Sequence, residues 1–351
     1  MDFSLSAEQE MLAAATRSLS ADHFGDDVAR HALSGDLTAA NKGWNELQMA
    51  GLNSLLVPSE YDGGGGCVLD ACVVLMELSS ALAPVPYLTS AVAVPALLNY
   101  CRGSESERLL GAIGRGDVLS LVVDGELRWP ASDTEQMVCL DWVPGRAAVA
   151  IVEGSPVLVT DVAASPCIDP LHPFGTADYS GEFSGGSEFS DSEGARRALA
   201  AMRAAAAAAL TGCLAGAAQL AWDYVATREQ YGIKIGSFQS VRHMAADMLV
   251  DVETCRSVSY GAAWMVDNDD IDTAERAAAI AKAWCGQAAV RSVETAIQLL
   301  GGIGVTWEST AHLYLRNVHL LSAIFGDTRT LLRELGTGFV EERGKVPNGP
   351  A

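Results

Sequence analysis

The chain has 351 residues and a formal net charge of −21, so it is long enough for two or three packed units and needs no staple to hold a core. That negative field repels nucleic-acid phosphates, and no basic cluster with interleaved aromatics offsets it, so nucleic acid is excluded as a partner. Its eight cysteines form no CxxC pair and keep no zinc-finger spacing with histidine. They therefore read as small buried hydrophobes in a reducing compartment, with neither a disulfide framework nor a structural metal.

The first residues lack a basic stretch followed by an apolar one, and no window approaches the roughly 18 apolar residues of a membrane span. The expectation is a cytoplasmic protein without a membrane span. Composition divides the chain into a helical zone over 1–115, a Val- and Gly-rich zone over 116–193 and an Ala-rich helical zone over 194–351. The predicted fold class is mainly α with a central β domain.

The first zone opens with Ser6 as a helix cap and Gln9 three residues on, a capping box, with Met11, Leu12, Ala15 and Leu19 on one face. A second helix over 44–50 ends at Gly51, and the four glycines 63–66 mark a free turn. In the middle zone the apolar runs 118–123, 147–152 and 157–159, bounded by Gly, Pro and Asp, predict short strands. Residues 175–194, rich in Gly, Ser and Glu, read as a linker.

The last zone predicts a helix over about 195–229, built on an Ala run and on Leu199, Met202, Leu210, Leu214, Ala217, Leu220 and Tyr224. The next carries Val241, Met244, Met248, Val252 and Cys255 and stops at the polar run 267–270. A third starts with Asp272 as its cap, places Ile280, Trp284, Ala288 and Ile297 inward, and ends at Gly301 and Gly302. Two shorter helices follow over 310–321 and 328–338. Long antiparallel helices with short connections predict a four-helix bundle.

Several stretches, in order along most of the chain, carry a resemblance to the acyl-CoA dehydrogenase family of flavoproteins. Trp44, Leu47, Gly51-Leu52, Val57-Pro58, Tyr61 and Gly63-Gly64 are similar to its "W-x-x-L-x-x-x-G-L…V-P-E-x-Y-G-G". Arg228-Glu229-Gln230-Tyr231-Gly232, then Phe238-Gln239 and Ala246-Asp247-Met248, resemble "R-x-Q-F-G…F-Q…L-A-D-M". Residues 298–306 resemble "Q-x-x-G-G-x-G-[FY]-T", and Arg316 sits where "R-D-x-x" follows.

The resemblance implies α,β-dehydrogenation of an acyl-CoA thioester, in which a Glu carboxylate removes the α proton and FAD takes the β hydrogen as hydride. Burial beside a flavin suits a carboxylate to that task by raising its pKa. Neither family location for the Glu is acidic here. The common one, in "I-Y-E-G-T", reads Ile324-Phe325-Gly326-Asp327-Thr328, with Gly326 in place of Glu and Asp327 one position later. The other, 26 residues before Arg228, is Met202, followed by the Arg203 that the family pattern carries. The family's strand signature, close to "T-E-P-x-x-G-S-D", has no counterpart, and residues 123–129 occupy its place.

Carried over residue by residue, the family's cofactor contacts fall on Arg228, Tyr231, Gln298, Gly301, Gly302 and Thr328. In the family the Arg and the "Q-x-x-G-G" segment reach a neighbouring subunit's flavin pyrophosphate and adenine, where a guanidinium and glycine amides suit an anion. Kept trans contacts without a base resemble the small subunit of actinobacterial heteromeric steroid-type acyl-CoA dehydrogenases. The implied partners are an acyl-CoA and a homologous subunit that supplies base and flavin pocket, with FAD shared across the interface. Two other readings stay open: a self-sufficient flavin oxidase or dehydrogenase using Asp327, and a flavin-free scaffold.

Each residue also has a plainer reading. Arg228 suits a helix terminus, Gly301, Gly302 and Gly304 suit a C-cap and turn, and Asp327 suits the N-cap of the last helix. His243, His312 and His319 lack metal-ligand spacing.

Overall fold

A computed structural model of the chain describes residues 4–129, 137–152, 155–177, 188–189 and 192–344. The helical first layer holds α1 (Ala7–His23), α2 (Asp26–Leu33), α3 (Thr38–Met49), α4 (Val68–Ser80), α5 (Val94–Leu98) and α6 (Ser104–Gly114). The Ser6 hydroxyl accepts the Gln9 N–H at 3.2 Å while the Gln9 side chain accepts the Ser6 N–H at 3.0 Å, so the capping box forms. The buried face of α1 is Ala13, Thr16 and Ser20, whereas Met11 is 65% exposed. Of the expected stripe, Leu12 and Leu19 pack against the core while Met11 and Ala15 are exposed, because α1 meets α3 and α4 mainly through small residues.

Strand β1 (Cys101–Arg102) pairs with β8 (Glu188–Phe189) beside a six-stranded sheet in the order β5-β4-β2-β3-β7-β6. Those strands are β2 (Ser120–Asp124), β3 (Met137–Leu140), β4 (Ala148–Val152), β5 (Ser155–Val159), β6 (Ala163–Ser165) and β7 (Phe174–Ala177). Among the described residues only β2 and β4 run parallel in this sheet. β2 is buried at every position, which explains a continuous apolar run in place of alternation. Most of the expected linker over 175–194 lies outside the described residues.

Helix α7 (Ser192–Thr227) is the axis of the molecule. Its Ala204 to Ala209 run is at most 1% exposed, because α8 (Gln239–Asn268), α9 (Ile271–Leu300), α10 (Ala311–Ala323) and α4 surround it. Small side chains let five helices crowd together. A Cβ on Gly212 would stand 2.2 Å from the Met76 carbonyl oxygen and one on Gly216 2.3 Å from that of Ser80, so both positions require glycine. α7 is also, among the described residues, the one helix long and apolar enough to cross a membrane, but 89% of its apolar window is buried inside the fold.

Two expectations for α9 are corrected. Its cap is Asp270, whose carboxylate accepts the Thr273 N–H at 3.0 Å; Asp272 instead lies in the first turn and pairs with Arg196. Ile280 and Trp284 are 47% and 45% exposed, while Ala281, Lys282 and Cys285 take the inward face. Helix α11 (Thr328–Gly344) packs on α9 after a short turn from α10.

Candidate functional site

α7 and α9 run one way and α8 the other, so the end of α7, the start of α8 and the end of α9 gather at one tip of the bundle. There the chain leaves α7 through a hairpin of β9 (Glu229–Gln230) and β10 (Ile233–Lys234). Its central residues Tyr231 and Gly232 have φ of 53° and 76°, the left-handed pair that a tight two-residue hairpin needs. Tyr231 is 93% exposed and meets Phe238 edge-on at 6.4 Å. Arg228 is held through its main chain, N–H to the Tyr224 carbonyl and carbonyl to the Ile235 N–H. Its exposed guanidinium makes no hydrogen bond or ion pair with the described residues.

At the same tip α9 ends on Gly301, with φ 61° and ψ −139°, a conformation suited to glycine. Gln298, Gly301 and Gly302 are exposed, and a Cβ on either glycine would meet nothing within 4 Å. Gly304 differs: it is buried, and a Cβ there would press on Ile297. Val305 and Trp307 add exposed apolar surface at 73% and 65%. The tip thus joins an unpaired guanidinium, open glycine backbone and exposed rings, all facing out.

The turn between α10 and α11 is the opposite kind of place. Phe325 and Gly326 both have positive φ, 60° and 107°, and both are buried. The Phe325 N–H donates to the Leu127 carbonyl at 2.9 Å, joining the turn to the sheet layer. Beside them Arg203, 6% exposed, donates Nε–H to the Phe325 carbonyl at 3.0 Å and pairs with Glu334 at 3.0 Å. A Cβ at Gly326 would stand 3.2 Å from Leu331 Cδ2 and 3.5 Å from Arg203 Nη2. Met202 is fully buried in α7. No carboxylate therefore occupies either expected base position.

Asp327 is exposed and caps α11, its Oδ1 accepting the Thr330 N–H at 2.8 Å. The Thr330 hydroxyl and N–H hold its carboxyl below the usual carboxylate range. Half-buried Thr328 faces Gly286 of α9. Lys282, unremarked in the sequence, is 1% exposed and donates to the Ser322 carbonyl at 3.1 Å; burial, aided by Arg203, pushes it down to about 7. A groove of about 830 Å³ opens beside Arg203 between α7, α9 and α11. Arg196, Arg203 and Arg276 line it together with Asp272, Glu275 and Glu334, so it offers no net positive charge.

The stretch 123–129, where the strand signature was missed, closes on itself. The Asp124 carboxylate accepts the N–H groups of Glu126 and Arg128 and the Arg128 Nε–H, and Leu127 has φ 59°. The backbone N–H groups of Asp124, Glu126, Leu127 and Arg128 are thereby spent within the stretch. The outward tip fits a phosphate of FAD better, since the Arg228 guanidinium is free of partners among the described residues and Gly301 and Gly302 leave room.

An all-helical layer, a six-stranded sheet and a helical bundle in this order define the acyl-CoA dehydrogenase architecture, and the chain belongs to that family of oxidoreductases. The family's N-terminal domain model matches residues 6–117 and its C-terminal domain model residues 193–338. Acyl-CoA dehydrogenase IpdE2 of Mycobacterium tuberculosis is 30% identical over 347 residues, covering 93% of this chain and 96% of that protein. Acyl-CoA dehydrogenase FadE34 of the same organism is 31% identical over 301 residues, covering 81% of this chain but 40% of that protein.

Among solved structures, the ChsE4-ChsE5 complex from Mycobacterium tuberculosis matches with a TM-score of 0.80 and 24% identity, covering all of both chains. The Tcur3481-Tcur3483 steroid ACAD G363A variant matches with a TM-score of 0.80 and 22% identity, over 96% of this chain and 99% of that one. The FAD complex of PigA gives 0.81 and 19%, over 97% and 100%. These structural likenesses bear on the fold.

Proposed function

We propose that the chain is one subunit of a heteromeric acyl-CoA dehydrogenase that acts on a lipid or steroid side-chain thioester, lending its bundle tip to FAD held by a homologous partner. The observation that carries this reading is a contrast within one chain: a trans half-site left open at Arg228, Gln298, Gly301 and Gly302, and base positions filled by Gly326 and Met202. The structural likeness to the Tcur3481-Tcur3483 steroid ACAD and to the ChsE4-ChsE5 complex supports a partner of the same family. FAD, when bound, supplies a hydride acceptor.

In this reading Arg228 neutralises a phosphate, the Cβ-free backbone at Gly301 and Gly302 lets it approach closely, and Tyr231 shields the contact from water. Thr328, which faces Gly286 at the start of α11, is the remaining position that the family pattern assigns to the cofactor. The α proton goes to a carboxylate of the partner. Asp327 is ill suited to take it, since its oxygens serve the α11 cap and its basicity is reduced. Asp327→Asn keeps the cap and removes the carboxylate, so turnover by the assembled complex should stay within twofold. A fall of about 100- to 10,000-fold with unchanged melting would make Asp327 the base and overturn the reading.

A further inference from the structure

Away from the tip and the Gly326 turn, one polar cluster stands at the seam where the sheet meets both helical layers. Asp141, 5% exposed with φ 52°, follows β3. Its Oδ2 accepts the Thr89 hydroxyl at 2.7 Å from the first layer, and its Oδ1 lies 2.7 Å from Nδ1 of His172, on the loop before β7. The other ring nitrogen, Nε2, lies 3.3 Å from the Asn317 amide on α10 of the bundle. Four side chains thus connect three layers.

We propose that His172 is held as an imidazolium that clasps the sheet to both helical layers, one N–H going to Asp141 and the other to the amide oxygen of Asn317. The atoms as placed set Asn317 Nδ2 against Nε2 and leave Asn317 Oδ1 buried without a partner. Amide oxygen and nitrogen are assigned from the network rather than distinguished by shape. Exchanging them would set the amide oxygen against a second ring N–H, which the charged ring has when its Nδ1–H also goes to Asp141, and would turn the NH2 toward the small cavity that Asn317 lines. The observation that favours the charged ring is the buried Asp141 carboxylate at 2.7 Å from Nδ1.

The charges around the ring favour the same form. Carboxylates Asp141 and Asp169 face it, with Arg146 on the Asp141 carbonyl and Arg316 beside Asp169. The thiols of Cys167, on its loop, and Cys213, on α7, face the same cluster, and burial keeps both protonated. Burial alone would push His172 down, but Asp141 and Asp169 outweigh it and lift it to about 9. A cavity of about 20 Å³ lined by His172, Asn317, Tyr87 and Leu321 has room for one water. The clasp is a property of this chain's own fold and stands apart from the reading of its function.

The test is the carbon-13 NMR titration of the imidazoles in the full chain, with His172 assigned by the signal lost in His172→Gln. His172 should stay protonated until about pH 9, and Asp141→Asn should lower its midpoint by at least two pH units, a 100-fold change in proton affinity. Hydrogen exchange corrected for intrinsic rate should then speed up at least tenfold in β3 and β7 relative to α7 once the ring is neutral. A wild-type midpoint at or below 7, or unchanged sheet protection after neutralisation, overturns the clasp. Should Asp141→Asn fail to fold, the wild-type titration and its exchange profile still decide.

Discussion

The Gly326 turn and the bundle tip both lie along α9, which carries Lys282 beside the first and Gln298 at the second, sixteen residues and about 24 Å further along the axis. At the tip, the Arg228 guanidinium has no partner among the described residues, and Gly301 and Gly302 open onto space. At the turn, two buried cations are spent on carbonyl oxygens and the backbone is locked in left-handed conformations. A site that serves another chain needs its groups free and pre-positioned, whereas a site relieved of its chemistry can be filled and braced. In the proposed reading one bundle therefore combines a surface available to a partner with a sealed interior.

Substitutions at the two places should separate them by stability. Arg203→Ala should have the largest effect, because it leaves the buried Phe325 carbonyl unsatisfied: a loss of about 2–4 kcal/mol in denaturant unfolding. A loss below 1 kcal/mol would mean the turn does not depend on the guanidinium. Gly326→Glu restores the family's acidic type at a strained φ of 107° with Leu331 in the way. It should lose about 1–3 kcal/mol and gain no activity in the isolated chain. Unchanged melting together with new dehydrogenation would show that the position was merely vacant of a base.

Lys282→Met should act in the other direction. The folded chain lowers Lys282 to about 7 from its ordinary 10.5, so burying the ammonium is most unfavourable below pH 7 and the penalty fades as pH rises toward 10.5. The variant should gain about 1–2 kcal/mol at pH 6 and nothing above pH 10.5, measured as the difference from wild type. A gain independent of pH would assign the effect to packing. Arg228→Ala should be the mildest, within about 0.5 kcal/mol, since the side chain is exposed and unpaired. In the assembled complex it should still weaken flavin retention, and full flavin content would reduce Arg228 to a helix terminus.

What the sequence disclosed was chemistry of short reach. The Ser6–Gln9 box, the Gly301 stop and the Asp327 cap each join residues three or four apart, and their residue types carry the signal. The run 267–270 shows the limit. It was legible as a helix stop, but which acid caps depends on backbone angles: Asp270 is extended and takes the cap, while Asp267 reaches back to the N–H groups of Val68 and Leu69 on α4. His172, Asp141, Thr89 and Asn317 are scattered over most of the chain and share no spacing, so no local pattern announces their cluster. Ile280 and Trp284 misled because apolar residues at helical spacing read as inward, and only the packing of α9 shows that face to be outward.

Flavin absorbance per chain tests most directly whether this chain holds half of a flavin site. The chain purified alone should carry little or no flavin, and co-purified with its homologous partner it should join a complex whose yellow cofactor is released when Arg228 is replaced by Ala. Stoichiometric flavin on a homogeneous preparation of this chain alone would contradict the half-site and favour a self-sufficient enzyme.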